Sequence, residues 1–222
     1  MEAFVPIKSH SERVPGKNFK QLGNKPLYMW IIEALLSVEG ISTVTIDTDS
    51  DNAQLWALNS NPRINLKQRN PLLLGDFTSM NEIIWDHLKE SNNGDFLMTH
   101  ATNPFLSKTT IESAISTFYA QKIFGYDSLF TVSVIQGRLF DSKGLPLNHD
   151  PSSLVRTQDL SPVFMENSCL YLFDKSTFTL NKSRIGVSPY RFIIPSLESI
   201  DIDSKEDWDL AHRVAFSLIH EI

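Results

Sequence analysis

The chain predicts an α/β fold, a mostly parallel sheet with helices on both faces, interrupted once by a loop and hairpin excursion. Short apolar runs of strand length alternate with segments whose apolar residues recur every three or four positions. Parallel neighbours need a long crossover, which a helix supplies, and the strands of such a sheet are covered on both sides. Hydrophobic residues make up 41% of the 222 residues and charged residues 21%, so a single domain over 1–222 can bury that core.

The elements follow in order. Residues 3–7 are the first apolar run, and the polar stretch 8–25 carries Pro15-Gly16 and Gly23-Asn24 as turn signals. Residues 27–38 read as a helix because Leu27, Trp30, Ile31, Ala34, Leu35 and Val38 share one face. A strand over 44–47 and a helix over 51–59 come next. Ser79-Met-Asn-Glu82 has the form of a capping box ahead of the apolar-periodic 83–88. A strand over 95–100 precedes a second apparent capping box, Thr109-Thr-Ile-Glu112, which opens a helix to about residue 121. A strand over 128–134 closes the series. Residues 136–168 hold Gly137, Gly144, Pro146, Pro151 and Pro162 with no sustained period, and read as a dimerisation or lid excursion rather than a linker. Strands over 169–173, 190–194 and 199–202 then lead into a final helix from about residue 205.

Composition excludes several functions. A net charge of −6 argues against a protein that grips nucleic acid. No apolar run approaches the ~18 residues of a membrane span, and the N-terminus lacks a signal-peptide pattern, so a soluble cytoplasmic protein is expected. Cys169 is the only cysteine, which rules out an internal disulfide or a zinc cluster of thiolates; its apolar setting predicts a buried structural thiol.

Ligands of open α/β sheets bind beyond the carboxyl ends of the strands, so the residues after each strand form the candidate site. The first such loop gathers Lys8, Arg13 and Lys17 with serines and Gly16, a plausible phosphate cradle. Composition alone reads it equally well as a solvated basic loop, and it lacks the Gly-Lys-Ser/Thr ending of a Walker A motif. Asp201-Ile-Asp203 on a strand would put two carboxylates on one face, a set that suits Mg²⁺. An exposed strand edge followed by a helix cap is the plainer alternative. Asp47 and Asp49 share that spacing, but there turn chemistry is a sufficient reason.

At these positions the chain resembles the acylneuraminate cytidylyltransferases, the CMP-sialic acid synthetase family, whose relatives activate pseudaminic, legionaminic and Kdo-type sugars. The family's Pro-x-Arg and Pro-x-Lys-Asn appear as Pro6-Ile-Lys8 and Pro15-Gly-Lys-Asn18, and its Gly-Lys-Pro-Leu as Asn24-Lys-Pro-Leu27. Its Ser-Thr-Asp becomes Asp47-Thr-Asp49, its Arg-Pro becomes Arg69-Asn-Pro71, and its Leu-Ala-x-Asp with a hydroxyl cluster becomes Leu74-Gly-Asp-Phe-Thr-Ser79. Thr102-Asn-Pro104 stands for Thr-Ser-Pro, Asn167-Ser-Cys-Leu-Tyr171 for Asn-Gly-x-Ile-Tyr, and Ser199-Ile-Asp-Ile-Asp203 is intact.

The resemblance implies a nucleotide-diphospho-sugar transferase-like fold and a reaction joining CMP from CTP to an acidic 2-keto-3-deoxy sugar, a nonulosonate or octulosonate. It assigns Lys8, Arg13 and Lys17 to the triphosphate and Asp201 and Asp203 to catalysis with Mg²⁺. Ser9, Asn18, Arg69, Thr78 and Ser79 join Lys8, Arg13 and Lys17 at the nucleotide. His100, Thr102, Asn103, Arg156 and Asn167 fall at the sugar. A homodimer built through the excursion, with Phe140 and Leu145 at the contact, is also implied. Departures bear on substrate: Lys8-Ser-His-Ser-Glu12 replaces Arg-Gly-Gly-Ser-Lys, His100 replaces Gln, and Thr157, beside Arg156, stands where sialic acid synthetases place an Arg for the sugar carboxylate. Sialic acid is therefore not the expected substrate. His100 reads either as a general base or, preferably, as a wall residue. A nucleotidyltransferase for a phosphorylated small molecule and a non-catalytic nucleotide binder remain the alternatives.

Overall fold

The computed structural model describes residues 1–75, 77–153 and 155–220. The chain runs β1 (Glu2–Ile7), a short hairpin of β2 (Gln21–Leu22) and β3 (Lys25–Pro26), α1 (Leu27–Ser37), β4 (Thr43–Thr48), α2 (Ala53–Ala57) and β5 (Ile64–Gln68). It continues with α3 (Met80–Glu90), β6 (Asp95–Met98), α4 (Lys108–Lys122), β7 (Ser128–Ile135), β8 (Val163–Asp174), α5 (Lys175–Asn181), β9 (Pro189–Ile193) and α6 (Lys205–His220).

Seven strands form one sheet in the order β5-β4-β1-β6-β8-β7-β9. All adjacent pairs are parallel except those made by β8, which runs against both β6 and β7. The alternation of β1 divides the core. Ala3, Val5 and Ile7 face a layer containing Ile31, Ile32 and Leu35 of α1 and Ile111, Ala114 and Phe118 of α4. Phe4 faces the opposite layer with Ile83, Ile84 and Leu88 of α3 and Phe178 of α5. Helices thus cover both faces, as the sequence predicts.

A third cluster seats α6 against the hairpin: Ala211 and Ala215 pack with Leu22, Leu27, Phe105 and Ile202. Gly23 turns that hairpin at φ 64°, and a Cβ there would lie 2.6 Å from Ile219 Cδ1, so the turn needs glycine both for its left-handed backbone and for its closeness to α6.

Several predicted elements differ. The edge strand β5 is absent from the sequence reading; its five residues carry only Ile64 and Leu66 as apolar positions, and its ladder to β4 defines it. α5 is also added, capped by Asp174, whose carboxylate accepts the Thr177 N–H at 2.7 Å. The excursion ends at residue 162, because β8 begins at Val163 and pairs with β7 along its length. Residues 199–202 are not a strand: Ile202 N donates to Thr102 O at 3.0 Å, but no ladder forms. The apparent box at Thr109 is not a cap either. α4 starts at Lys108, its cap is Ser107, and Glu198 holds that serine through its N–H (2.8 Å) and its hydroxyl (3.0 Å). The box at Ser79 and Glu82 does form.

Candidate active site

At the carboxyl ends of β1, β4, β5 and β6 the loops enclose a cleft of about 470 Å³. The first loop is bent over it by three ties. Ser9 N–H donates to Asp49 Oδ1 at 2.6 Å, and Asn18 Nδ2 donates to Lys8 O at 2.9 Å. Gly16, in the left-handed region at φ 64°, starts the tight turn that places Lys17. Lys17 Nζ then donates to Ile202 O and to Asp203 Oδ1, the latter at 3.0 Å. Arg13 reaches the same Oδ1, also at 3.0 Å. Lys17 is 11% exposed and Arg13 66%, so the lysine carries most of this attachment while solvent screens the arginine.

The acidic side is asymmetric. Asp203 is ion-paired and partly exposed. Asp201 is half-buried, its buried Oδ1 has no hydrogen-bond partner among the described residues, and its carboxyl is raised above the usual range chiefly by desolvation and then by Asp203, against a hydrogen bond from Thr102. A buried carboxylate oxygen without a donor is a position for a ligand or an ion. No group of three or more His, Cys, Asp or Glu side chains able to hold a metal occurs among the described residues. Two carboxylates nonetheless fit Mg²⁺, which retains waters and takes substrate phosphates as further ligands.

Arg69 forms the floor. It is buried, with Nε 2.5 Å from Asp47 Oδ1 and Nη2 3.0 Å from Asp47 O. Asp47 and Asp49 therefore do more than shape a turn: one anchors Arg69 and the other anchors the first loop. His100 stands in the opposite wall and is depressed to about 3, first by burial and then by the positive charge of Arg184 and, more weakly, Lys17. At neutral pH it is an uncharged imidazole and a weak base, in keeping with a wall residue.

The structure brings Lys8, Arg13, Lys17, Asn18, Arg69, Thr78, His100, Thr102, Asp201 and Asp203 into this lining. Ser9, Ser79, Asn103, Arg156 and Asn167 lie outside it. Ser9 serves Asp49, Ser79 caps α3, and Asn103 is buried with Nδ2 donating to Ile200 O. Asn167 is buried with Nδ2 donating to Ser133 Oγ. Arg156 is exposed and paired with Asp159 at 2.7 Å, within the excursion. Asp76, part of the Leu74–Ser79 resemblance, lies outside the described residues. Cys169 is buried and its thiol is pushed far up by burial, as expected of a structural cysteine.

The sequence reading missed Ser168, which lines the cleft at φ 58° beside the register shift between β7 and β8. The signal was present, since serine stands there where the resembled family carries glycine. It also missed Met80 and Ile83, which supply an apolar wall from α3.

Known proteins share this architecture and sequence. The model of the family described as Cytidylyltransferase matches residues 3–218. N-acylneuraminate cytidylyltransferase A of Danio rerio is 26% identical over 96% of this chain and 50% of its own length. The chain thus spans about half the length of that relative and of the streptococcal N-acylneuraminate cytidylyltransferases it also matches. CMP-N,N'-diacetyllegionaminic acid synthase of Legionella pneumophila is 27% identical over 96% of this chain and 94% of its own length. The solved structure of CMP:2-keto-3-deoxy-manno-octonic acid synthetase complexed with CTP superposes with a TM-score of 0.66 at 13% identity, covering 100% of this chain and 99% of that one, a likeness of fold. Because the family match extends from β1 into α6, through every loop that builds the cleft, the chain belongs to the cytidylyltransferase family.

Proposed function

We propose that this protein joins CMP from CTP to an acidic 2-keto-3-deoxy sugar, a nonulosonate or octulosonate, with release of pyrophosphate. The observation that carries the proposal is the convergence of Lys8, Arg13 and Lys17 with Asp201 and Asp203 in one cleft of a cytidylyltransferase fold. Relatives named for acylneuraminate and legionaminic acid support the sugar class.

In the reaction the anomeric hydroxyl oxygen of the sugar attacks the α-phosphorus of CTP. The bond to the bridging oxygen of the β-phosphate breaks, and the hydroxyl proton passes to solvent or phosphate. Such transfers need positioning and charge neutralisation more than covalent help. Lys8, Arg13 and Lys17 hold the triphosphate, and the two attached to Asp203 are already oriented for it. Asn18, whose buried Oδ1 has no partner among the described residues, and Arg69 contact the nucleoside with Thr78. Asp201 and Asp203 would hold Mg²⁺, which when bound neutralises phosphate charge and lowers the pKa of the attacking hydroxyl. Neutral His100, with Thr102 and Ser168, shapes the sugar end. Phe140, Leu145 and Leu147 in the excursion are exposed and suit a homodimer contact.

Pyrophosphate release measured with CTP, UTP and ATP against a panel of acidic keto-sugars tests the proposal. CTP with at least one nonulosonate or octulosonate is expected to give release well above the other nucleotides. Equal rates with UTP or ATP, or no release with any sugar, would overturn it.

A further inference from the structure

We propose that Arg184 is the residue that recognises the carboxylate of the sugar acid, acting at the wall of the cleft formed by His100 and Ser168. This rests on the function proposed above and assigns the anion-recognising end of that site. An acidic sugar needs a cation other than those engaged with the triphosphate, and Arg156 does not serve, being exposed and paired with Asp159 outside the cleft. Arg13 and Lys17, assigned to the triphosphate, are on Asp203, and Arg69 is buried against Asp47.

Arg184 differs from these three. It is half-buried, and no carboxylate among the described residues lies within ion-pair distance of it. Its partners are neutral: Nη2 donates to the Tyr171 hydroxyl at 3.0 Å, Nη1 lies 3.7 Å from Met98 Sδ, and the guanidinium stacks on the Tyr171 ring at 3.8 Å. Glu166 is engaged by the same phenol as hydrogen-bond acceptor rather than by the arginine. Arg184 and Tyr171 stand just behind the lining rather than in it: Tyr171 Oη is 3.2 Å from Ser168 Oγ, and Ser168 and His100 both line the cleft. The field of Arg184 reaches His100 and helps keep that imidazole neutral.

A half-buried guanidinium with no ion-paired carboxylate among the described residues is suited to receive an anion, and the planar fork it presents matches a carboxylate in geometry. The Tyr171 stack fixes the plane of the fork, so little side-chain freedom is lost when the anion binds. Ser168, held in the left-handed region where glycine is at ease, is the wall residue between this fork and the cleft.

The test compares the best sugar of the panel with its carboxamide analogue in wild type, Arg184→Met and Arg184→Lys, with CTP saturating. Wild type is expected to prefer the acid. In Arg184→Met the preference should collapse, with KM for the acid rising about ten- to hundredfold and KM for CTP unchanged. Arg184→Lys, which keeps the charge but loses the fork, should fall between. If Arg184→Met does not fold by circular dichroism, the lysine variant carries the comparison. Release of pyrophosphate by wild type together with an unaltered acid-to-amide preference in the variants overturns this assignment alone. Absence of release by wild type with every sugar overturns the function on which it rests.

Discussion

Two carboxylates withdrawn to different degrees at opposite ends of the sheet show how the same group is used for architecture and for ligand binding. At the amino end, Glu2 is 3% exposed and fully engaged: Oε1 meets Thr45 Oγ1 and His87 Nε2, and Oε2 meets Ser91 Oγ and Asn93 Nδ2. Those bonds, His87 first, overcome burial and bring its carboxyl down to about 2. At the carboxyl end, Asp201 is half-buried, its buried Oδ1 has no partner among the described residues, and desolvation with the repulsion of Asp203 raises it. A satisfied buried acid ties elements together; an unsatisfied one costs stability in the free protein and is retained for what binds it.

Asp201→Asn and Asp203→Asn are expected to lower turnover by orders of magnitude. Asp201→Asn should leave the melting temperature unchanged or raise it by a few degrees, because it removes a charge that the fold disfavours. Near-normal turnover in limiting Mg²⁺, or a large loss of stability, would show Asp201 to be a structural acid like Glu2.

Glu2→Gln should do the reverse, destabilising by about 3 kcal/mol with kcat nearly intact, because the amide NH₂ would face donors in place of an acceptor. Denaturant unfolding and steady-state kinetics on one preparation read both. The pH dependence has a stated sign: Glu2 is depressed in the fold, so its stabilisation is complete above about pH 4.5 and is lost as pH falls toward about 2. A stability profile flat between those values would remove the depressed acid from the account.

The smallest effect concerns Ser168. Its φ of 58° strains a residue with a Cβ, so Ser168→Gly should stabilise by about 1 kcal/mol, or a few degrees in Tm. A lower Tm would mean that the 3.2 Å contact of its hydroxyl with Tyr171 outweighs the strain.

How much was legible follows from how local each signal is. The strand at 3–7, the helix from Leu27 and the cap at Ser79 are written in spacing and in a three-residue exchange of hydrogen bonds, and they appear where the sequence puts them. The cap of α4 was misplaced because Ser107 is held by Glu198, which is ninety-one positions away in the chain. Arg156 stands beside an aligned position in the sequence, and in the fold it lies on the excursion, paired with Asp159. Arg184 gave no signal in the sequence, since only folding sets it against Tyr171 and near His100.

Periodicity, turn residues and caps act over a few positions, so the α/β class, the order of most elements and the loops that carry cations and acids are readable along the chain. Tertiary structure decided which of those residues share a cleft. It also left 199–202 out of the sheet despite an alternating pattern, since a strand is made by a partner's hydrogen bonds. The same long-range packing left Asp201 Oδ1 without a donor among the described residues and gave each Glu2 oxygen one.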